Sequence, residues 1–189
     1  MPEAGHQAGR RLTSPVEGTS FGGAAAESVE IVDPDGEPTA IITRGAMRVA
    51  NLRHRATYVV VTAPDGSVLA HQRAAWKDIW PSRWDVAFGG ICDVGEPWRD
   101  AAVRELAEEA GVEVRAESLV ELGPVRFESS ETRVVGRVYR VEHLGPFSFP
   151  DGEVVASAWV APHELATFAS SRSLCADSEA VVLPLLASR

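Results

Sequence analysis

The run of residues 56–61 constrains the fold of this chain more than any other segment. It reads Ala-Thr-Tyr-Val-Val-Val, so apolar and β-branched side chains would point to both faces of an extended backbone. Strands covered on both faces have this composition, whereas half-exposed strands alternate apolar and polar residues. The run therefore predicts a central strand that lies between two layers of other elements.

Further elements are predicted on both sides of this run. One hairpin is expected to join 29–32 to 40–42 through the turn at 33–36, and a second to join 56–61 to 67–70 through the turn at 64–66. Additional strands are expected at 85–88, 119–125, 133–141 and 154–160, and helices at 44–51, 97–110, 162–168 and 178–186. Because strands and helices are interspersed, the pattern predicts a mixed α/β domain of sandwich type.

The N-terminal region has a different composition. Residues 1–27 are rich in Gly, Ala, Ser, Pro and Glu and have no periodic apolar positions, which predicts a mobile tail. The remaining residues, 28–189, are expected to form one domain, since a chain of 189 residues is too short for two domains of ordinary size.

Charge and cysteine content exclude several classes of partner and location. The chain has 18 basic and 27 acidic residues, and its net charge of −9 disfavours nucleic acid polymers and anionic membranes as partners. A small phosphorylated ligand remains compatible, because a bound divalent cation reverses the potential locally. No membrane span or secretion signal is expected, and two cysteines are too few for a disulfide framework. These features favour a cytoplasmic protein.

The segment 90–112 contains the strongest chemical pattern of the chain. At about 100° per residue, Glu105, Glu108 and Glu109 share one sector of a helix, while the apolar side chains lie on another sector. Three carboxylates at this spacing repel one another, and oxygen ligands at short range suit Mg²⁺ or Mn²⁺. The alternative is a solvated helix face on which Arg104 simply pairs with Glu108.

At every specified position, this segment resembles the signature of the Nudix hydrolase superfamily. The signature is Gly, five residues, Glu, seven residues, Arg-Glu, an aliphatic residue, any residue, Glu-Glu, any residue, Gly and an aliphatic residue. The resemblance implies a Nudix-type α/β/α sandwich with a mixed β-sheet, in which the signature forms a loop, a helix and a loop. It also implies attack of water on a phosphorus of a diphosphate linked to a group X, with Mg²⁺ or Mn²⁺ as cofactor.

The resemblance also implies roles for individual residues. Glu105, Glu108 and Glu109 are expected to bind the metal, together with the backbone carbonyl of Gly90, and Glu105 is the first choice for the base that takes the proton of water. Arg104 and Glu96 are expected to pair and to hold the loop against the helix. Members of the family also take a base or a ligand from a downstream loop, for which this chain offers Glu128, Glu131 and Glu153.

Segments outside the signature resemble the branch of the superfamily that includes isopentenyl diphosphate isomerase. They are residues 51–56, Gln72-Arg73, Trp80-Pro81 and Trp84. That isomerase needs a Cys followed by Gly and a metal-binding His, where this chain has Gly89, Gly90 and Ile91. Its reaction is therefore expected to be absent here. His54 matches a metal-binding histidine of the isomerase, and the alternative for it is an imidazole bonded to the backbone.

Three basic residues that precede the signature are candidates for binding the substrate. Arg73, Lys77 and Arg83 would supply counter-charge to phosphate oxygens, and the alternative is that they are exposed surface residues.

The leading prediction is a metal-dependent Nudix pyrophosphohydrolase that acts on a small nucleoside diphosphate derivative or another X-linked diphosphate. The alternatives are a non-catalytic Nudix-fold module that binds a ligand or regulates and, less favoured, isopentenyl diphosphate isomerase. A homodimer is compatible with the family.

Overall fold

The computed structural model of this chain describes residues 21–188, over which strands and helices are interspersed. The strands are β1 (Ser28–Val32), β2 (Pro38–Thr43), β3 (Arg53–Thr62), β4 (Val68–Arg73), β5 (Trp84–Asp85), β6 (Val120–Glu128), β7 (Arg133–Glu142) and β8 (Val154–Val160). The strand predicted at 85–88 is wrong in its bounds, because the observed strand covers only Trp84–Asp85 and Phe88 forms a single bridge to β3. The helices are α1 (Phe21–Ala26), α2 (Arg44–Val49), α3 (Trp98–Ala110), α4 (Leu165–Ser171) and α5 (Leu183–Ala187). Short 3₁₀ turns lie at Ala116–Ser118 and Pro162–Glu164, and a π turn, Ser178–Val182, precedes α5. Over the described residues, no helix is both long and apolar enough to cross a membrane.

Strand β3 contains the apolar run and lies at the centre of the mixed sheet. It pairs in parallel with β7 along its whole length, from Arg53 opposite Arg133 to Thr62 opposite Glu142, and β7 pairs in turn with β6. On its other side, β3 contacts β1, which forms the first predicted hairpin with β2. Residues 56–62 of β3 are all buried, so the prediction of a strand covered on both faces is confirmed.

Side chains of β3 contribute alternately to two separate cores. Val59 packs on one face of the sheet with Leu106 of α3, and Val60 packs on the other face with Phe168 of α4. Both valines are fully buried. The sheet therefore lies between α3 on one side and the C-terminal helices on the other, which confirms the predicted α/β/α sandwich.

The second predicted hairpin forms only at its closed end. Strands β3 and β4 share a single antiparallel pair, Thr62 with Val68, after which β4 continues alongside β8 and β5. The position next to β3 is taken by the chain that leads into the signature, because Phe88 bridges to Val59 and Ile91 bridges to Ala56. The turn residues predicted the chain reversal, but the partner of each strand depends on contacts between distant segments.

The predicted tail lies largely outside the described residues, which begin at residue 21. The last residues of the predicted tail form a short helix, α1. This helix lies against α2, since a Cβ atom on Gly45 would be 3.2 Å from the carbonyl oxygen of Ala25. The chain then enters β1 through Glu27, whose carbonyl accepts a hydrogen bond from the backbone N–H of Arg44 at 2.8 Å.

A buried histidine lies in β4 near the centre of the sheet. His71 is 1% exposed and stacks on Phe88 with 4.3 Å between ring centroids. Its Nδ1 atom has no hydrogen-bond partner among the described residues. Burial lowers the pKa of His71 to about 4, so its imidazole is neutral in the folded protein at pH 7.

We expect the substitution His71→Phe to make folding less sensitive to acid. The unfolded chain binds a proton at this histidine near pH 6.5, whereas the folded chain does so only near pH 4, so its contribution to stability is lost as pH falls between these values. Between pH 7 and pH 5, the free energy of unfolding measured in urea should fall by about 2 kcal/mol less in the variant than in the wild type. An equal fall in both proteins would contradict this account, and His163→Gln at an exposed position serves as the control.

Candidate active site

Helix α3 presents its acidic side to the loop that precedes it. The helix begins after Pro97 and ends at Gly111, whose left-handed backbone (φ 66°) stops it as the sequence predicted. The acidic side is only partly solvated, because Glu105 is 9% exposed and Glu109 is 6% exposed. Glu108 alone is exposed to solvent. The alternative of a simple solvated face is therefore wrong for two of the three glutamates.

Two glycines allow the loop backbone to approach these carboxylates. The N–H of Gly89 donates a hydrogen bond to Oε2 of Glu109 at 2.9 Å. A Cβ atom on Gly90 would lie 2.5 Å from Oε2 of Glu105, so any larger residue would push the carboxylate away. The carbonyl of Gly90, a predicted metal ligand, accepts a hydrogen bond from the N–H of Thr57 at 3.0 Å and keeps a second lone pair.

The backbone at Gly89 also explains why the catalytic cysteine of the isomerase has no counterpart at this position. A Cβ atom on Gly89 would lie 1.9 Å from the carbonyl oxygen of Thr57 in β3, which is a severe overlap. No side chain fits at this position without movement of the backbone. The site of the isomerase cysteine is therefore closed in this protein.

Arg104 links the loop to the helix as the sequence analysis expected. Its Nε and one terminal nitrogen donate to the two carboxylate oxygens of Glu96 at 3.0 and 2.8 Å, which is a bidentate pair. The other terminal nitrogen donates to Glu105 at 2.8 Å and to Glu108 at 3.2 Å. One guanidinium thus donates hydrogen bonds to three carboxylates, which its planar fork of donors allows.

The two buried glutamates resist ionisation. Burial raises the pKa of Glu105 to about 7, although the charge of Arg104 and its hydrogen bond act in the opposite direction. Burial and the nearby charge of Glu105 raise the pKa of Glu109 well above its usual range. A positive charge bound beside them would favour their ionised forms.

The loop before β8 adds two carboxylates to this region. Ligand oxygens of Glu109, Asp151 and Glu153 all lie within 4.8 Å of one another. Of the two loop residues, the sequence pointed only to Glu153, and Asp151 was not among the predicted site residues. In the structure Asp151 is a turn residue, because its Oδ1 accepts the N–H of Glu153 at 2.9 Å. Its spacing of two residues from Glu153 was the available signal.

The other sequence-predicted candidates have partners of their own. Glu131 accepts a hydrogen bond from Nε1 of Trp80 at 2.7 Å, and Glu128 pairs with Arg53. A terminal nitrogen of Arg83 donates to the carbonyl of Leu174 at 2.9 Å. His54 donates from Nδ1 to the carbonyl of Leu52 at 3.2 Å, and burial lowers its pKa to about 4. His54 is thus hydrogen-bonded to the backbone, which was the alternative interpretation of this residue.

A small cavity of about 90 Å³ lies beside Gly89 and Gly90. Two buried polar atoms belong to residues that line it, Oγ1 of Thr57 and Nε of Arg73, and neither has a hydrogen-bond partner among the described residues. Buried polar atoms are nearly always paired, so unpaired ones next to a cavity suggest that water or a ligand completes them. Arg73 is therefore a better candidate for substrate binding than Arg83.

Comparisons with known proteins identify a family with this fold. The family model for the NUDIX domain matches residues 52–177. The uncharacterized Nudix hydrolase YfcD of Salmonella typhi is 36% identical over 142 residues, which cover 75% of this chain and 76% of that protein. DR0079 from Deinococcus radiodurans has a similar structure, with a TM-score of 0.68, 23% identity and coverage of 84% of this chain and 99% of its own. The NUDIX domain of Shewanella oneidensis NrtR, complexed with ADP ribose, has a TM-score of 0.55, 18% identity and coverage of 75% and 95%.

We expect Gly89→Ala to destabilise the protein far more than Gly95→Ala. Both glycines precede α3, but a Cβ atom at Gly95 meets nothing within 4 Å, and its cost of about 1 kcal/mol would come from the left-handed backbone alone. At Gly89 the overlap with Thr57 forces the backbone to move, which should cost about 3 kcal/mol or more. Chemical denaturation of both variants measures the difference. Equal losses would show that the loop is not packed against β3 as described.

Proposed function

Because this chain belongs to the Nudix hydrolase superfamily and is a pyrophosphohydrolase, we propose that it cleaves an X-linked diphosphate with Mg²⁺ or Mn²⁺ as cofactor. The favoured substrate class is a small nucleoside diphosphate derivative. The observation that carries the proposal is the burial of Glu105 and Glu109 beside the carboxylates of Asp151 and Glu153. Such a cluster needs a cation, and a diphosphate brings further negative charge that the same cation would neutralise.

The donor atoms fit a hard divalent cation. All candidate ligands are oxygen atoms, which Mg²⁺ and Mn²⁺ prefer over softer metals. Two ligands of one Mg²⁺ are at most about 4.2 Å apart, since each bond is about 2.1 Å long. The oxygens of Glu109, Asp151 and Glu153 lie within 4.8 Å of one another, so small movements of side chains would suffice. Glu105 would complete the set from the same side of α3.

The proposed mechanism assigns a distinct task to each residue. When bound, the cation neutralises charge on the phosphate oxygens and lowers the pKa of water. Glu105 takes the proton of the attacking water, and Arg104 engages its Oε1 atom, which leaves the lone pairs of Oε2 for that water. Glu96 holds Arg104 in place through the bidentate pair. Glu108 is the most exposed of the three signature glutamates on α3 and is proposed as an outer ligand.

Substrate binding is proposed to involve the cavity next to the signature loop. Arg73 lines this cavity and its Nε has no hydrogen-bond partner among the described residues, which supports a role in donating to a phosphate oxygen or to the group X. The isomerase alternative loses its basis at Gly89, where a cysteine side chain would overlap with Thr57. A cytoplasmic location, a homodimer and the absence of a nucleic acid polymer as partner stay predictions from the sequence.

We expect Glu109→Gln to leave the fold nearly intact and to remove most metal-dependent turnover. The amide oxygen of Gln can still accept the N–H of Gly89, but the side chain can no longer bring negative charge to the cation. The loss in kcat should be at least about 100-fold, with circular dichroism and thermal unfolding close to those of the wild type. Glu113→Gln on the exposed surface after α3 is the matched control. Unchanged turnover in Glu109→Gln would remove this residue from the site.

A substrate panel tests the function itself. Purified protein should release product from at least one X-linked diphosphate in the presence of Mg²⁺ or Mn²⁺, and chelation by EDTA should stop the reaction. ADP ribose belongs in the panel because the NrtR domain of the same fold is complexed with it. If a compound binds but no compound in a broad panel is cleaved with either cation, the non-catalytic module becomes the better interpretation.

A further inference from the structure

Lys77 is the only lysine of this chain. The other 17 of its 18 basic residues are arginines, and several of them form ion pairs at the surface. The side chain of Lys77 is only 9% exposed, and its ammonium group pairs with Oε2 of Glu153. From the sequence, Lys77 was predicted to bind a phosphate group, whereas in the structure it pairs with a carboxylate next to Glu109 and Asp151.

Backbone hydrogen bonds hold Lys77 at this position. The N–H of Lys77 donates to the carbonyl of Ala74 at 3.3 Å, and the N–H of Ala74 donates to the carbonyl of Glu153 at 2.7 Å. The loop after β4 is therefore tied to the loop before β8, and the ammonium reaches the carboxylate cluster from one side. The position of Lys77 follows from the fold and does not depend on a chance contact between two surface side chains.

Charge determines what this ammonium can do. When ionised, Glu109, Asp151 and Glu153 carry three negative charges at close range, and Lys77 supplies one positive charge to them. A divalent cation that binds the same three carboxylates would lie close to the ammonium, and their repulsion is twice that of two unit charges. The ammonium of Lys77 and the divalent cation would then compete for the carboxylate of Glu153. The flexible four-carbon stem of a lysine allows its ammonium to leave, whereas a guanidinium would hold the carboxylate through two hydrogen bonds.

We propose that Lys77 is the resident counter-ion of this cluster and that a divalent cation bound by Glu109, Asp151 and Glu153 displaces its ammonium from Glu153. The inference rests on the proposed function, because it assumes that the cation binds at this site. It assigns Lys77 as a positioning residue, which holds Glu153 beside Glu109 until the cation arrives. It also accounts for a lysine at this one position in a chain that otherwise uses arginine.

Amine labelling of the full-length chain tests the displacement directly. Lys77 provides the only side-chain amine, so a dilute acetylating reagent followed by mass spectrometry reports on Lys77 with the N-terminal amine as internal standard. We expect slow labelling of Lys77 in EDTA and severalfold faster labelling at saturating Mn²⁺. Glu153→Gln removes the ion pair and should give fast labelling without metal, while Glu128→Gln, which breaks a surface pair with Arg53, should behave as the wild type.

Electron paramagnetic resonance of Mn²⁺ measures metal binding in the same samples. It thereby distinguishes a failure of the proposed displacement from a failure of the proposed metal site. If Mn²⁺ binds and the labelling of Lys77 stays slow, the displacement is wrong and the proposed function is unaffected. If Mn²⁺ does not bind at all, both the proposed function and this inference fail. The two outcomes are distinguished before any substrate is known.

Two substitutions of Lys77 are expected to affect the affinity for Mn²⁺ differently. Lys77→Met removes the competing cation and should tighten binding on the order of tenfold at low salt. Lys77→Arg keeps the charge and grips Glu153 with two hydrogen bonds, so its binding should be no tighter than that of the wild type. Weaker binding by Lys77→Met, with its circular dichroism spectrum unchanged, would mean that the ammonium supports the metal site and would overturn the proposal.

Discussion

The burial of two carboxylates against a glycine backbone is the constraint on which this structure depends. Charged groups taken out of water cost several kcal/mol unless partners compensate them. At Glu105 the partner is the guanidinium of Arg104, and at Glu109 it is the N–H of Gly89. Burial still raises the pKa of both glutamates, so a positive charge bound beside them would favour their ionised forms.

The topology of the sheet makes this arrangement possible. A continuous hairpin of β3 and β4 would have filled the space beside β3 with another strand. Instead, β4 leaves after one pair and joins β8, and the chain from Phe88 to Ile91 occupies the vacated position. The two glycines within this segment then face α3, whose apolar residues pack on the same side of the sheet. The same departure of β4 places Lys77 next to Glu153 at the start of β8.

Local signals in the sequence predicted the elements of this fold well, because each depends on neighbouring residues. Gly111 ends α3 where expected, and the apolar run at 56–61 does lie between two layers. Local signals do not carry the pairing of β4 with β8, which joins segments far apart in the chain. Helical periodicity placed the glutamates on one side of α3 but could not tell that Glu105 and Glu109 face a backbone instead of water.

The functional site likewise contains some residues that local sequence signals identify and others that only the folded structure brings together. Helical spacing placed the three glutamates on one side of α3, and the resemblance to the family signature implied the pair of Arg104 with Glu96. Asp151 and Glu153 lie two residues apart in the loop before β8. Their approach to Glu109 of α3 and to Lys77 of the loop after β4 joins segments that are far apart in the chain, so local spacing does not reveal it. The close approach of Gly89 to Thr57 likewise becomes visible only when two strands are placed side by side.

Anomalous diffraction from crystals soaked in Mn²⁺ locates the ion without reference to any substrate. We expect a peak at the manganese edge between α3 and the loop before β8, within bonding distance of carboxylate oxygens of Glu105 or Glu109 and of Glu153. Crystals of a turnover-competent protein that show no peak there, with both α3 carboxylates still packed against Gly89 and Gly90, would contradict this expectation.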